Sequence, residues 1–166
     1  MASVYFPVGT YAFFIKRNAP ESAPIDMNKP FTGPMSEHTP EISAFLEICR
    51  IPRPSGHPEK ITAFIRKFAE DRGLECETDE YGNTLVRRPG KTEPIMVQAH
   101  IDMVPAALPG MDFDFVNRPI TPIFDGDWIR TDGTTLGADD GVGMALMMAA
   151  IDDPELKDVT LEALFT

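Results

Sequence analysis

VQAHIDMVP, residues 97–105, is the stretch that decides how this chain is interpreted, because a strand-like pattern ends there in two polar side chains. The apolar run IMVQA is bounded by turn residues and is typical of a buried strand. His100 and Asp102 follow it, and in extended backbone residues i and i+2 point the same way. We therefore expect an imidazole and a carboxylate to project together from a strand end. Such a pair fits a metal or catalytic site, and it also fits an ordinary polar strand end.

A second polar group lies in the glycine-rich segment GTTLGADDGVG, residues 133–143. Glycines allow the backbone to turn sharply and to approach a ligand closely. Asp139 and Asp140 are adjacent, so one carboxylate is available to bind a metal while the other caps the following helix. Carboxylate oxygen beside imidazole nitrogen suits zinc, manganese or cobalt. A plain helix cap explains the segment equally well, and a phosphate-binding loop is excluded because the Gly-Lys-Ser/Thr ending is absent.

The remaining sequence predicts helices that alternate with strands, from apolar periodicity and from turn residues. The predicted elements are a helix capped by Thr39 with Pro40 at its first position, a helix from Glu59 to Arg72, a β-hairpin from LECETD and TLVRR, the strand IMVQA, a strand centred on Trp128 and Ile129, a helix beginning near Asp140, and a last strand, VTLEALF. This alternation predicts a layered α/β domain.

The first 35 residues differ in composition from the rest. The segment NAPESAPIDMNKPFTGPM is rich in proline and polar residues and has no periodicity, so residues 1–35 are predicted to be a disordered or loosely packed leader. Residues 36–166 are then the predicted domain. The sequence stops at Thr166, directly after a predicted strand, whereas α/β sheets usually carry function in the loops beyond their strand ends. We therefore expect an incomplete domain.

The composition limits the classes of partner and of chemistry. The net charge of −11 disfavours nucleic acid and anionic membranes, and no apolar stretch has the length of a membrane-spanning helix. Cys49 and Cys76 lie far apart without a CxxC pair, so free thiols in a reducing cytoplasm are expected. Covalent catalysis is disfavoured, because neither these cysteines nor Ser55 lies in a nucleophile motif.

Four segments together resemble one family. They are RIPRPSGHPEKITAFIRKFAEDRGLECETDEYGN, VQAHIDMVP, FDGDWIRTDGTTLGADDGVGMA and LEALFT, in this order. From about residue 35 to residue 166, the chain resembles the N-terminal part of the aminoacyl-histidine dipeptidases, or Xaa-His dipeptidases, of the co-catalytic zinc aminoacylase and carboxypeptidase group. The resemblance implies part of a layered α/β/α zinc-peptidase-like catalytic domain. It also implies a cytoplasmic enzyme that hydrolyses dipeptides with two Zn²⁺ ions, with Mn²⁺ or Co²⁺ as alternatives, and a candidate homodimer.

The resemblance further implies roles for three residues. His100 would bind one zinc ion, Asp102 would orient His100, and Asp139 would bridge both ions. Family members continue into a Glu-Glu pair and further ligands that this sequence does not contain, so hydrolysis is expected of a complete enzyme and not of this chain alone. An aminotripeptidase, a carboxypeptidase or a deacetylase would use the same ligands. A non-catalytic truncated homologue or partner-binding fragment is the alternative outside the enzymes.

Overall fold

The computed structural model describes residues 39–125 and 128–166, so the predicted leader, residues 1–35, lies outside the described residues. The helices are α1 (Pro40–Cys49), α2 (Glu59–Glu70) and α3 (Ala138–Asp152). The strands are β1 (Glu75–Thr78), β2 (Thr84–Arg88), β3 (Ile95–Ala99), β4 (Ile123–Asp125), β5 (Trp128–Arg130) and β6 (Leu161–Phe165). Within these two stretches, no helix is long and apolar enough to cross a membrane.

Four of the strands form a mixed sheet in the order β1-β2-β6-β3. The predicted hairpin is confirmed, since β1 and β2 are antiparallel; β2 and β6 are also antiparallel, whereas β6 and β3 are parallel. The predicted last strand, β6, therefore lies inside the sheet, where Ala163 pairs with Val86 on one side and with Val97 on the other. Because β3 and β6 run parallel, their carboxyl ends lie side by side at the same end of the sheet.

Strand β3 is less buried than its sequence predicts. The side chains of Ile95 and Met96 are 52% and 56% exposed, and Ala99 is the buried residue of this strand. In the described part of the chain, β3 pairs with β6 alone, so its other side is a sheet edge. A short apolar run does not reveal whether a strand lies inside a sheet or at its edge, and the prediction of a buried strand is wrong for this reason.

The predicted strand around Trp128 and Ile129 is present as β5, and it has a partner that the sequence pattern did not predict. β4 pairs with it in an antiparallel hairpin in which Phe124 lies opposite Ile129. Both of these side chains are buried and join the main hydrophobic core. The hairpin is thus attached to the domain through its apolar residues.

The helices form a layer on the sheet, in which α2 and α3 contact the strands and α1 contacts α3. Alternate side chains of β2 and β6 point into this layer, and Val86, Ala163 and Phe165 are completely buried there. α1 packs against α3, α3 packs against β3 and β6, and α2 packs against β1 and β2. The predicted α/β class is confirmed by this arrangement.

The ends of the first two helices differ in detail from the prediction. Pro40 is the first residue of α1, as predicted. Thr39 occupies the position before it, but the Thr39 side chain makes no hydrogen bond to the first turn, so the predicted side-chain cap is absent. α2 ends at Glu70, two residues before the predicted Arg72. Gly73 then adopts a left-handed conformation with φ of +63°, as is usual after a helix end.

Arg53, in the connection between α1 and α2, lies almost wholly inside the protein, with 1% of its surface exposed. Its Nη1 donates hydrogen bonds of 3.0 Å to the carbonyl oxygens of Ile101 and Asp102, and its Nη2 donates to the carbonyl oxygen of Gly137. A buried charge is costly unless hydrogen-bonded partners surround it. The guanidinium therefore binds the α1–α2 connection to the segment after β3 and to the start of α3.

Two glycines of the glycine-rich segment make room for this guanidinium. A Cβ atom at Gly137 would lie 2.7 Å from Nη2 of Arg53, and a Cβ atom at Gly141 would lie 2.5 Å from it. Gly137 also has a φ of +71°, a conformation that residues with a side chain rarely adopt. The glycines are therefore required by the close approach of Arg53, independently of any ligand.

A second buried arginine holds the other end of α3. Arg88 on β2 is 8% exposed, and its guanidinium donates hydrogen bonds to the carbonyl oxygens of Ala150 and Ile151 in the last turn of the helix. It also donates to those of Leu156 and Val159 in the turn that follows. A positive charge at a helix C-terminus is favourable because the last carbonyl groups have no partner within the helix.

We expect Gly141→Ala to destabilise the protein by about 1–3 kcal/mol, the usual cost of overpacking a core. The added methyl group would meet Arg53 at 2.5 Å and the ring of Phe45 at 3.1 Å. Urea unfolding of the purified chain measures the effect. Leu146→Ala on the same helix, where the side chain is 52% exposed, is the control and should change stability by no more than about 0.5 kcal/mol. Unchanged stability of Gly141→Ala would show that Arg53 can move without cost.

Candidate metal centre

The structure brings the three predicted site residues into contact. His100 directly follows β3, Asp102 lies two residues further on, and Asp139 belongs to the first turn of α3. Nε2 of His100 lies 3.1 Å from Oδ1 of Asp139, and Nδ1 lies 3.0 Å from Oδ1 of Asp102. The imidazole is therefore held between two carboxylates at the carboxyl end of β3, beside the end of the parallel strand β6.

The neighbouring acids Asp139 and Asp140 take different positions. Both have non-helical backbone angles, with φ and ψ of −92° and 108° for Asp139 and of −112° and 38° for Asp140, and the peptide bond between them is cis. Oδ1 of Asp140 accepts a hydrogen bond of 3.1 Å from the backbone N–H of Gly143. Asp140 thus caps the regular part of α3, and Asp139 contacts His100. The residue pattern alone left open which of the two acids would cap the helix and which would be available to a metal.

The two carboxylates change the protonation equilibrium of the imidazole. Partial burial acts to lower the pKa of His100, but the hydrogen bonds that its ring donates to Asp139 and Asp102 outweigh it and raise this pKa above its ordinary value of 6.5. Burial acts to raise the pKa of Asp102, but the hydrogen bonds from Ser55 and His100 outweigh it and hold this pKa below its usual range. The arrangement therefore favours an ionised Asp102 beside a proton on His100.

The connection between α1 and α2 supports Asp102 from the opposite side. The hydroxyl of Ser55 donates to Oδ2 of Asp102, and the backbone N–H of Ser55 donates to the carbonyl oxygen of Met103 at 3.0 Å. The N–H of Met103 donates in turn to the carbonyl oxygen of Arg53, also at 3.0 Å. Arg53 and Ser55 were not predicted as site residues, because the proline-rich segment that ends α1 carries no sequence signal for partners 47 or more residues away.

The donor atoms fit part of a zinc site. Tetrahedral zinc with bonds of about 2.0–2.1 Å places neighbouring ligand atoms about 3.3–3.4 Å apart, and the 3.1 Å between Nε2 of His100 and Oδ1 of Asp139 is close to this separation. The side chains of His100 and Asp139 are 41% and 52% exposed, so an ion from solvent has access to both. Residues 39–125 and 128–166 contain no group of three or more His, Cys, Asp or Glu side chains placed to hold a metal ion.

The cysteines do not contribute to this centre. Cys49 is buried in α1, and burial raises the pKa of its thiol to about 12, so it is neither a thiolate ligand nor a nucleophile. Cys76 lies on β1, and partial burial also raises the pKa of its thiol. Both are free thiols, as their spacing predicts.

Known proteins resemble this chain in sequence and in fold. No family model matches the chain. Over 127 residues, which are 74% of this chain and 26% of the relative, the sequence is 41% identical to the cytosol non-specific dipeptidase of Escherichia coli (strain K12). The crystal structure of aminoacylhistidine dipeptidase from Vibrio alginolyticus matches 82% of this chain and 29% of that one, with a TM-score of 0.74 and 37% identity.

A more distant structure shares the same fold. Aminopeptidase PepT from Bacillus cereus matches 76% of this chain and 35% of its own, with a TM-score of 0.62 and 25% identity. The chain thus spans about a quarter to a third of the length of these relatives. The fold is that of part of a peptidase catalytic domain. Over the part that these proteins share, the chain belongs to the peptidase family that includes the aminoacylhistidine dipeptidases.

Proposed function

We propose that this chain supplies His100 and Asp139 as metal ligands, and Asp102 as the residue that orients His100, to a zinc-dependent peptidase that hydrolyses dipeptides. The observation that carries the proposal is the imidazole held between Asp102 and Asp139, with 3.0 Å and 3.1 Å contacts at its two nitrogens. Zinc bound there would lower the pKa of a water molecule and polarise the scissile carbonyl group.

Each of the three side chains has a separate task in this proposal. Asp102 accepts the Nδ1 proton of His100, which fixes the tautomer and leaves the lone pair of Nε2 for a metal. Asp139 supplies a carboxylate oxygen beside that lone pair. Asp140 is occupied as the cap of α3 and is therefore not assigned as a ligand.

The substrate class is proposed from the relatives. The Escherichia coli relative is named a non-specific dipeptidase and the Vibrio alginolyticus protein an aminoacylhistidine dipeptidase, which supports peptide hydrolysis and, more narrowly, Xaa-His dipeptides. Zinc is the proposed metal, with Mn²⁺ or Co²⁺ as alternatives, and the complete enzyme is proposed to be a cytoplasmic homodimer. The net charge of −11 supports neither nucleic acid nor an anionic membrane as a partner.

The 166-residue chain should bind Zn²⁺ weakly and should not turn over β-alanyl-histidine or other dipeptides. A catalytic zinc site takes about three protein ligands, and His100 with Asp139 supplies two. Calorimetric titration with Zn²⁺ and a peptidase assay with excess metal test this. Asp139→Ala should abolish the binding, while Asp71→Ala, which removes a similarly exposed carboxylate directly after α2, should leave it unchanged. Metal-dependent turnover that survives Asp139→Ala would show that the active site lies elsewhere.

The pH should act on metal binding and on stability in opposite directions. In the metal-free protein, the raised pKa of His100 means that the proton on its imidazole stabilises the folded state. This stabilisation is fully present below a pH of about 6.5, and it is lost as the pH rises through the raised pKa. Zn²⁺ must displace the same proton, so its affinity should increase over that interval. Urea unfolding and Zn²⁺ titration of wild type and His100→Gln across this range measure both effects, and a Zn²⁺ affinity independent of pH would contradict the assignment of His100.

Asp102→Asn should weaken Zn²⁺ binding by about 10–100-fold, the usual cost of losing the partner that orients a metal-binding histidine. The amide keeps the shape of the side chain but can no longer act as an anionic acceptor for the Nδ1 proton. Calorimetry with Zn²⁺ gives the ratio of affinities, and Asp158→Asn, which changes an exposed carboxylate paired with Lys91, is the matched control. Equal affinities of wild type and Asp102→Asn would remove the role proposed for Asp102.

A further inference from the structure

Ser55 lies at the surface, beside the site but outside the set of proposed ligands. It directly follows the buried Arg53-Pro54 pair, and its side chain is exposed to solvent. Its hydroxyl donates to Oδ2 of Asp102, and a carbonyl oxygen, that of Met103, lies further away at 3.3 Å. A hydroxyl has one hydrogen, and an anionic acceptor makes the stronger bond, so the carboxylate is the principal partner.

We propose that Ser55 is a positioning residue, which fixes the orientation of the Asp102 carboxylate and, through it, the orientation of the His100 imidazole. The proposal rests on the metal-binding role proposed above for His100. Ser55 itself touches neither His100 nor Asp139 by any hydrogen bond in the described structure, so it acts through Asp102.

The two oxygens of Asp102 are used on opposite sides. Oδ1 contacts Nδ1 of His100 at 3.0 Å, while Oδ2 accepts from Ser55. With both oxygens engaged, the carboxylate cannot rotate about its last side-chain bond without breaking a hydrogen bond. Without the hydroxyl, Oδ2 would turn to solvent and the contact of Oδ1 with Nδ1 would loosen. The backbone carbonyl oxygen of Asp102, 3.0 Å from Nδ1, would remain as an acceptor, so the effect on His100 is a partial one.

Ser55 can perform this task because its own backbone is fixed. Its N–H donates to the carbonyl oxygen of Met103, and Pro54 forms a bridge with Met103 in parallel orientation. Arg53, directly before Pro54, is anchored by its hydrogen bonds to the carbonyl oxygens of Ile101 and Asp102. These contacts use backbone atoms or the side chain of Arg53, so Ser55→Ala leaves all of them in place and should fold normally.

The test is the exchange with water of the His100 Nδ1 proton in the metal-free 166-residue chain, measured by nitrogen-15 NMR at one fixed pH. His100→Gln assigns the signal. We expect the proton to be protected in wild type and to exchange about two- to tenfold faster in Ser55→Ala, the range that one hydrogen bond supports. Ser55→Thr keeps a hydroxyl and should restore the slow exchange. Asn83→Ala, which removes a hydrogen bond to the distant carboxylate of Asp79, should have no effect.

A second measurement separates this inference from the proposed function. Zn²⁺ binding should weaken by about two- to tenfold in Ser55→Ala and recover in Ser55→Thr. If wild type binds no Zn²⁺, the proposed function fails while the NMR comparison still decides the role of Ser55. Equal proton exchange in wild type and Ser55→Ala, an unprotected proton in wild type, or failure of Ser55→Thr to restore protection would each overturn the inference.

Discussion

The burial of one guanidinium, that of Arg53, is the constraint on which the site depends. Arg53 is only 1% exposed, so its charged guanidinium must find hydrogen-bond acceptors inside the protein. Arg53 obtains them from Ile101, Asp102 and Gly137, which belong to two segments far from it in sequence. The α1–α2 connection, the segment after β3 and the start of α3 therefore cannot move apart without exposing unpaired carbonyl groups or an unpaired charge. These are the same segments that carry Ser55, His100 and Asp139.

The position of α3 follows from the same kind of contact at both ends. Arg53 binds the carbonyl oxygen just before the helix, and Arg88 binds carbonyl oxygens in its last turn. Since Arg88 belongs to β2, the helix is aligned with the sheet by a polar contact as well as by packing. Asp139, in the first turn of α3, is thereby held at a fixed place relative to the end of β3.

The sequence predicted what depends on neighbouring residues and missed what depends on distant ones. Periodicity and turn residues predicted the three helices, the hairpin and the last strand, and the i, i+2 spacing predicted that His100 and Asp102 would lie together. The edge position of β3 and the pairing of β4 were missed, because strand neighbours are not encoded within a strand. Arg53 and Ser55 were missed for the same reason, since their partners lie about 50 or more residues away. The roles of His100 and Asp139 as ligands came from resemblance, and they stay predictions.

Exposure divides the site into two layers with different physical tasks. The side chains of His100 and Asp139 are 41% and 52% exposed, so packing alone does not fix them. The orientation of these side chains must therefore be set by hydrogen bonds to groups that are fixed. Asp102 provides such a link, because its backbone carbonyl oxygen accepts from the buried Arg53 and its carboxylate contacts the exposed imidazole. Stability and site geometry are therefore separable in this domain. Changes at Gly141 act on the buried layer and reach the whole fold, whereas changes at Ser55 or Asp102 act on the exposed layer and alter how the imidazole is presented to a metal.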